Sequence, residues 1–80
     1  MASLPEIKQH VKDIIAEELR LNPQDLDELR SFHDLGLDSV NSIFLLAKME
    51  EKLDIYIDPL SIYDNPTILS FSEFIHKELS

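Results

Sequence analysis

Gly36 is the only glycine in this chain of 80 residues, and that scarcity narrows the folds and sites it can build. Glycine adopts left-handed and otherwise strained backbone conformations at little cost. Loops that cradle phosphate groups and dinucleotide-binding fingerprints each need several glycines within a short stretch. The sequence therefore excludes both kinds of site. It also draws attention to DLGLDSVNS, residues 34–42, where Gly36 stands shortly before Ser39.

Length and composition predict one small globular domain over residues 1–80, with room for a single core. Hydrophobic residues make up 44% of the chain, and no stretch approaches the ~20 apolar residues that span a membrane. Residues 1–9 lack the basic start and apolar run of a secretory signal. The chain has no cysteine, which excludes a disulfide framework and a cysteine nucleophile. We expect a monomer in the reducing cytoplasm.

The charge is strongly negative, with 16 acidic residues against seven basic ones and a formal net charge of -9. Nucleic acid would be repelled, because phosphate binding relies on lysine and arginine. Basic protein partners would be attracted to such a surface. The alternative interpretation is that the acidity serves only solubility.

Hydrophobic periodicity and turn residues predict an all-α fold. Ser3 and Glu6 have the spacing of a capping box, and a helix with one apolar stripe follows to about Arg20. Two further long helices are expected, one from Val40 to Leu53 and one that begins after Thr67. A short helix fits residues 59–64, which start with proline. The prediction is a small four-helix bundle of three longer helices and one short helix.

The first loop, between about Arg20 and Ser39, is predicted to be about 17 residues long. Loops of that length are uncommon in small domains unless they carry function or a short turn of their own. Four apolar side chains are expected to hold it against the core. They are Leu26, Leu29, Phe32 and Leu35.

Metal and catalytic sites are disfavoured by the residues present. His10, His33 and His76 lie on three different predicted segments, so a shared metal site is not expected. A calcium loop counted from Asp34 would place Ser39 where an EF-hand requires glycine. Ser39 also lacks the glycines of a nucleophile elbow. We therefore expect no catalytic residue, no metal ligand and no enzyme.

The second long helix is predicted to have two apolar faces. At about 100° per residue, one side carries Leu45, Leu46, Met49 and Leu53, and the opposite side carries Val40, Ile43, Phe44 and Ala47. A surface helix of a small bundle needs only one apolar stripe. Two interpretations remain open: a central helix buried nearly all round, or a helix whose second face meets partners.

Ser39 is either a helix cap or a site of chemistry. Serine at the start of a helix is usually a cap. Here Asp38 can serve as the cap, which would leave the Ser39 hydroxyl free and exposed at an electropositive helix end that favours a phosphate. Gly36 would then permit a tight approach to the helix and clear space beside the serine.

The stretch from Phe32 to Leu53, FHDLGLDSVNSIFLLAKMEEKL, resembles the acyl carrier proteins and the carrier domains of polyketide and nonribosomal peptide synthases. The motif is carried by Phe32, Leu35, Gly36, Asp38, Ser39 and Val40, and IDPLSIYDNPTILSFSEFI resembles the third helix and the entry to the fourth. The resemblance implies a non-enzymatic carrier. Its 4'-phosphopantetheine would be attached to Ser39 from coenzyme A by a phosphopantetheinyl transferase, and its terminal thiol would hold an acyl group as a thioester.

The resemblance also implies a surface that contacts loading enzymes, a ketosynthase or other synthase components. Its expected residues are Leu37, Val40, Asn41, Ile43, Phe44, Ala47, Glu50 and Glu51. Leu37 stands where fatty acid carriers usually have alanine, and Phe44 and Asn41 stand where the family commonly has acids. These departures favour a polyketide or hybrid polyketide/peptide carrier. A fatty acid, peptidyl or D-alanyl carrier, and a carrier-fold interaction module without a prosthetic group, remain alternatives.

Overall fold

Three long helices and two four-residue helices form the framework of residues 2–80, the part of the chain that the computed structural model describes. Met1, the first residue of the predicted domain, lies outside the described residues. The long helices are α1 (Leu4–Leu19), α3 (Ser39–Leu53) and α5 (Ile68–Leu79), and the short ones are α2 (Phe32–Leu35) and α4 (Ser61–Asp64). Over residues 2–80 there is no strand, and one antiparallel bridge joins Ser31 to Thr67. The predicted all-α bundle is confirmed, with α2 as an additional helix.

Helix α1 begins and ends through local interactions. The Ser3 hydroxyl accepts a hydrogen bond from the Glu6 amide at 3.3 Å, and the Glu6 carboxylate accepts one from the Ser3 amide at 3.1 Å. The predicted capping box is therefore confirmed, and these hydrogen bonds with Ser3 hold the pKa of Glu6 below its ordinary value. Arg20 ends the helix in the left-handed conformation, with φ 58°.

The first loop contains two short helical turns, a 3₁₀ turn at Pro23–Asp25 and α2. Leu26 and Phe32 are buried and Leu35 packs partly against the core, as predicted. Leu29 is 69% exposed, so its predicted role in holding the loop is wrong. Glu28 takes that role instead. The Glu28 carbonyl accepts a hydrogen bond from the Leu69 amide at 3.0 Å. The Glu28 carboxylate forms ion pairs with Lys8 and Lys12 of α1.

The core lies between the inward faces of α1, α3 and α5. Phe71 of α5 is fully buried and meets Phe32 edge to face, with ring centroids 5.8 Å apart. The apolar positions Ile68, Phe71, Phe74, Ile75 and Leu79 of α5 have the spacing of one helical stripe and all face the core. Ile68, Phe71 and Ile75 are fully buried, and Phe74 and Leu79 pack partly against the core.

The segment between α3 and α4 is joined to α3 by a partly buried hydrogen bond. The Glu50 carboxylate accepts a hydrogen bond from the Ile57 amide at 2.9 Å, and the Ile57 side chain is buried. Helix α4 begins at Ser61, two residues later than the predicted start at Pro59, because residues 59–60 form a turn. None of the helices in residues 2–80 has the length and apolar composition needed to cross a bilayer.

Candidate functional site

Ser39 is the first residue of α3, and its neighbours take over the capping of that helix. The Asp38 carboxylate accepts a hydrogen bond from the Asn41 amide at 2.8 Å, and the Asn41 side-chain oxygen accepts one from the Asp38 amide at 3.2 Å. Ser39 is exposed, and its hydroxyl makes no hydrogen bond to any group of residues 2–80. The prediction that Asp38 caps the helix and leaves Ser39 free is confirmed.

Gly36 ends α2 and turns the chain toward Ser39. Its φ of 103° and ψ of 11° lie in the left-handed region, and its amide donates to the His33 carbonyl at 3.0 Å. A Cβ atom built on Gly36 meets nothing within 4 Å. A Cβ atom at this position would therefore clash with no neighbour, and the cleared space beside Ser39 stays a prediction. Glycine is needed here for the backbone conformation, which side chains with L configuration rarely adopt.

A groove of about 280 Å³ opens beside Ser39. It is formed by α2, the residues on either side of it, the start of α3, and α4 with the turn that follows. Its lining residues are Ser31, Phe32, His33, Leu37, Asp38, Ser39, Ser42, Ile62, Tyr63 and Pro66. Phe32, Leu37 and Ile62 are buried and provide an apolar floor. Ser39 therefore stands beside a groove with an apolar floor and a polar rim.

Helix α3 has one face in the core and a second apolar face in solvent. Leu45 is 1% exposed, whereas Val40 is 69% and Ile43 is 66% exposed. Phe44 is 38% exposed, and the Lys48 ammonium lies 5.4 Å from the centre of its ring. The prediction of two faces is confirmed and the alternative of a helix buried all round is wrong. The apolar surface begins directly after Ser39.

Three of the residues expected to contact partners are used inside the chain. Leu37 is 7% exposed and belongs to the core. Asn41 takes part in the cap, and its amide group donates to Glu18 of α1 at 3.0 Å. The Glu50 carboxylate is bound to the Ile57 amide. Each of these side chains is held by a neighbour that comes from another element or turn, so the exposed part of the expected surface is Val40, Ile43, Phe44, Ala47 and Glu51.

His33 and Tyr63 line the groove with Ser39, and neither was expected there from the sequence. His33 stands inside the motif that surrounds the serine, so its place in the sequence was a usable signal. Tyr63 comes from α4, and no local pattern pointed to it. In the part of the chain that the structure describes, no three His, Cys, Asp or Glu residues lie close enough together to hold a metal ion.

A family model described as the phosphopantetheine attachment site matches residues 9–75. A phenolphthiocerol/phthiocerol polyketide synthase of Mycobacterium tuberculosis is 29% identical over 75 residues, which are 94% of this chain and 4% of that protein. The chain thus spans a small fraction of that relative's length. The residues matched by the family model include Ser39, the residues that line the groove and the exposed face of α3.

Two solved structures share the fold over nearly the whole chain. A free-standing peptidyl carrier protein from Acinetobacter baumannii superposes with a TM-score of 0.92, covers 98% of both chains and is 24% identical, a likeness of fold alone. The HMG-ACPI domain from the CurA module of Lyngbya majuscula superposes with a TM-score of 0.86 at 33% identity. That match covers 98% of this chain and 79% of the other.

Proposed function

Because the chain belongs to the phosphopantetheine attachment site family, whose members carry covalently bound 4'-phosphopantetheine, we propose that Ser39 is the residue that bears the group here. The observation that carries this proposal is the state of the Ser39 hydroxyl. It is exposed at the first position of a 15-residue helix, and the adjacent Asp38 has taken the capping role that usually occupies such a serine.

The surroundings of Ser39 fit a phosphate-linked arm. The N-terminal end of α3 carries partial positive charge from unpaired backbone amides, which favours an attached phosphate. The groove beside the hydroxyl has an apolar floor and hydroxyl groups on its rim, from Ser31, Ser42 and Tyr63. Polar groups can therefore meet the polar part of an arm while Phe32 and Ile62 offer apolar contact.

The bound group supplies a thiol, which holds an acyl group as a thioester in a chain that has no cysteine of its own. The residues of the protein itself provide the attachment point and hold it in position. In the transferase reaction the Ser39 oxygen would lose its proton and bond to the phosphorus of the arm, as the pyrophosphate bond of coenzyme A breaks and adenosine 3',5'-bisphosphate leaves. Asp38 caps α3 and so keeps Ser39 on the first turn of that helix. Attachment to a small folded body raises the concentration of the acyl group near a partner's active site to about the millimolar range.

The cargo that we propose is an acyl intermediate of polyketide or hybrid polyketide/peptide synthesis. The support is the polyketide synthase relative and the HMG-ACPI domain, together with Leu37 before the Asp38–Ser39 pair. Fatty acid, peptidyl and D-alanyl carriers share the fold and the prosthetic group, so they are the competing assignments. These carriers differ from a polyketide carrier in the enzyme that loads the arm.

The partners that follow from this function are a phosphopantetheinyl transferase, a loading enzyme, and a ketosynthase or other synthase component. These enzymes carry out the chemistry, and we propose no catalysis by the chain itself. They would contact the face formed by Val40, Ile43 and Phe44, which lies beside Ser39. A monomeric state and a cytoplasmic location stay predictions.

The test is to incubate the protein with coenzyme A, Mg²⁺ and a broad-range phosphopantetheinyl transferase. The mass of the protein is then measured by mass spectrometry. We expect a mass gain of one phosphopantetheinyl group in the natural chain and none in Ser39→Ala. Ser42→Ala is the matched control, since Ser42 lines the same groove one turn away and should leave the gain intact. No gain in the natural chain would favour the interaction module without a prosthetic group.

Modified protein then allows the cargo to be tested. We expect loading enzymes that use acyl donors of polyketide synthesis to charge the arm, and aminoacyl and D-alanyl donors with their own enzymes to leave it empty. Charging by an aminoacyl donor alone would contradict the polyketide assignment and leave the attachment at Ser39 standing.

A further inference from the structure

His33 lies on the rim of the groove beside Ser39, on a segment that is held in place at several points. The Ser31 hydroxyl accepts from the Asp34 amide at 3.0 Å, and the Phe32 amide donates to the Pro66 carbonyl at 2.7 Å. Phe32 itself is 5% exposed, and its ring meets that of Phe71. The backbone of His33 therefore has a defined position relative to Ser39, while its side chain is exposed and can adjust.

The charges in this groove are unevenly distributed. Of the ten lining residues, all within the described residues 2–80, His33 is the one that can become a cation near neutral pH. No lysine or arginine lines the groove, although the chain has seven of them. Asp38 is the acidic residue of the lining, and its carboxylate accepts from the Asn41 amide. An anion placed in this groove has a single side chain available to neutralise it.

Attachment of the arm to Ser39 would add such an anion, because the linkage is a phosphodiester with one negative charge. The chain already carries a net charge of -9, so its overall field opposes the added charge, although the N-terminal end of α3 favours it locally. We propose that the protonated His33 imidazole pairs with the phosphate on Ser39 and holds the arm along the groove. Deprotonation of His33 would then release the arm for transfer to partners. This inference rests on the proposed function.

Other titratable groups lie next to His33 in the chain or line the same groove. Asp34 lies on the same short helix, Asp38 precedes α3, and Tyr63 comes from α4. All three are present before and after attachment of the arm. A comparison of unmodified with modified protein therefore isolates the effect of the phosphate on His33.

The experiment follows the imidazole resonances of His10, His33 and His76 by NMR, in protein whose mass shows it to be unmodified or fully modified. We expect modification to move the titration midpoint of His33 upward by about 0.5 pH unit, the size that opposite unit charges a few ångströms apart in water produce. His10 on α1 and His76 on α5 are internal controls and should keep their midpoints. Equal behaviour of all three histidines would overturn the proposal.

The phosphorus resonance provides a second measurement. A phosphodiester does not itself titrate between about pH 5 and 8, so a pH-dependent shift there reports a neighbouring group. We expect the shift to follow the His33 titration, to disappear in modified His33→Gln and to persist in modified His10→Gln. Persistence in His33→Gln would also overturn the proposal. A protein that gains no mass would refute the attachment at Ser39 instead, so the two failures are distinguishable.

Discussion

At the scale of single residues, Gly36 and Ser39 serve different needs although they stand close together in the sequence. Gly36 provides a φ of 103° at the end of α2, and the space beside it is open. Ser39 provides an exposed hydroxyl because Asp38 and Asn41 cap the helix through each other's backbone amides. The backbone turn at Gly36 and the exposed hydroxyl of Ser39 are therefore separable by mutation.

We predict that Gly36→Ala lowers the free energy of unfolding by about 1–2 kcal/mol, the cost of a left-handed conformation for a residue with a Cβ atom. Denaturant unfolding measures this. Gly36→Asn is the matched control and should cost less, because asparagine tolerates left-handed conformations better. An alanine variant as stable as the natural protein would contradict the conformational explanation.

At the scale of elements, one side of α3 packs in the core, and the other is the exposed apolar side that we propose contacts partners. Leu45 is 1% exposed and belongs to the core, whereas the adjacent Phe44 is 38% exposed beside Lys48. Neighbouring positions on one helix therefore have different roles. The short helices act differently, since α2 and α4 bring His33 and Tyr63 to the groove.

We predict that Phe44→Glu changes the free energy of unfolding by less than about 1 kcal/mol, because a Glu–Lys pair with Lys48 offsets part of the lost cation–π contact. Leu45→Ala should cost about 2–5 kcal/mol as a buried truncation. Denaturant unfolding compares the two variants.

Phe44→Glu should also slow modification by the transferase, if this face contacts partners as proposed. Unfolding of Phe44→Glu, or an unchanged modification rate, would contradict the division of the helix.

At the scale of the whole molecule, the negative charge is concentrated in a small volume. The radius of gyration is 11.2 Å, close to the Debye length of about 10 Å at 0.1 M salt. At 0.01 M salt the Debye length is about 30 Å, as long as the largest extent of the domain, so acidic residues then repel one another across all of it. Within residues 2–80 the ion pairs are those of Glu28 with Lys8 and Lys12, at 3.4 Å and 3.3 Å, so most of this repulsion is uncompensated.

We predict that the melting temperature rises as salt is added, because screening weakens the repulsion more than it weakens two partly buried ion pairs. A gain of about 1 kcal/mol corresponds to about 4–8 °C for a domain of this size. Thermal unfolding in low and high sodium chloride measures the effect, and magnesium chloride at low concentration should act in the same direction. A melting temperature that does not change with salt would contradict it.

The sequence alone determined the features that depend on neighbouring residues. The caps at Ser3, Asp38 and Thr67 join groups three positions apart, and the helical stripes follow from the helix period, so both could be predicted. Tertiary structure decided the rest: Leu29 is exposed, Asn41 reaches Glu18, Gly36 has open space, and Tyr63 of α4 lines the groove beside Ser39. These features depend on how distant segments pack against each other, and no local pattern encodes that geometry.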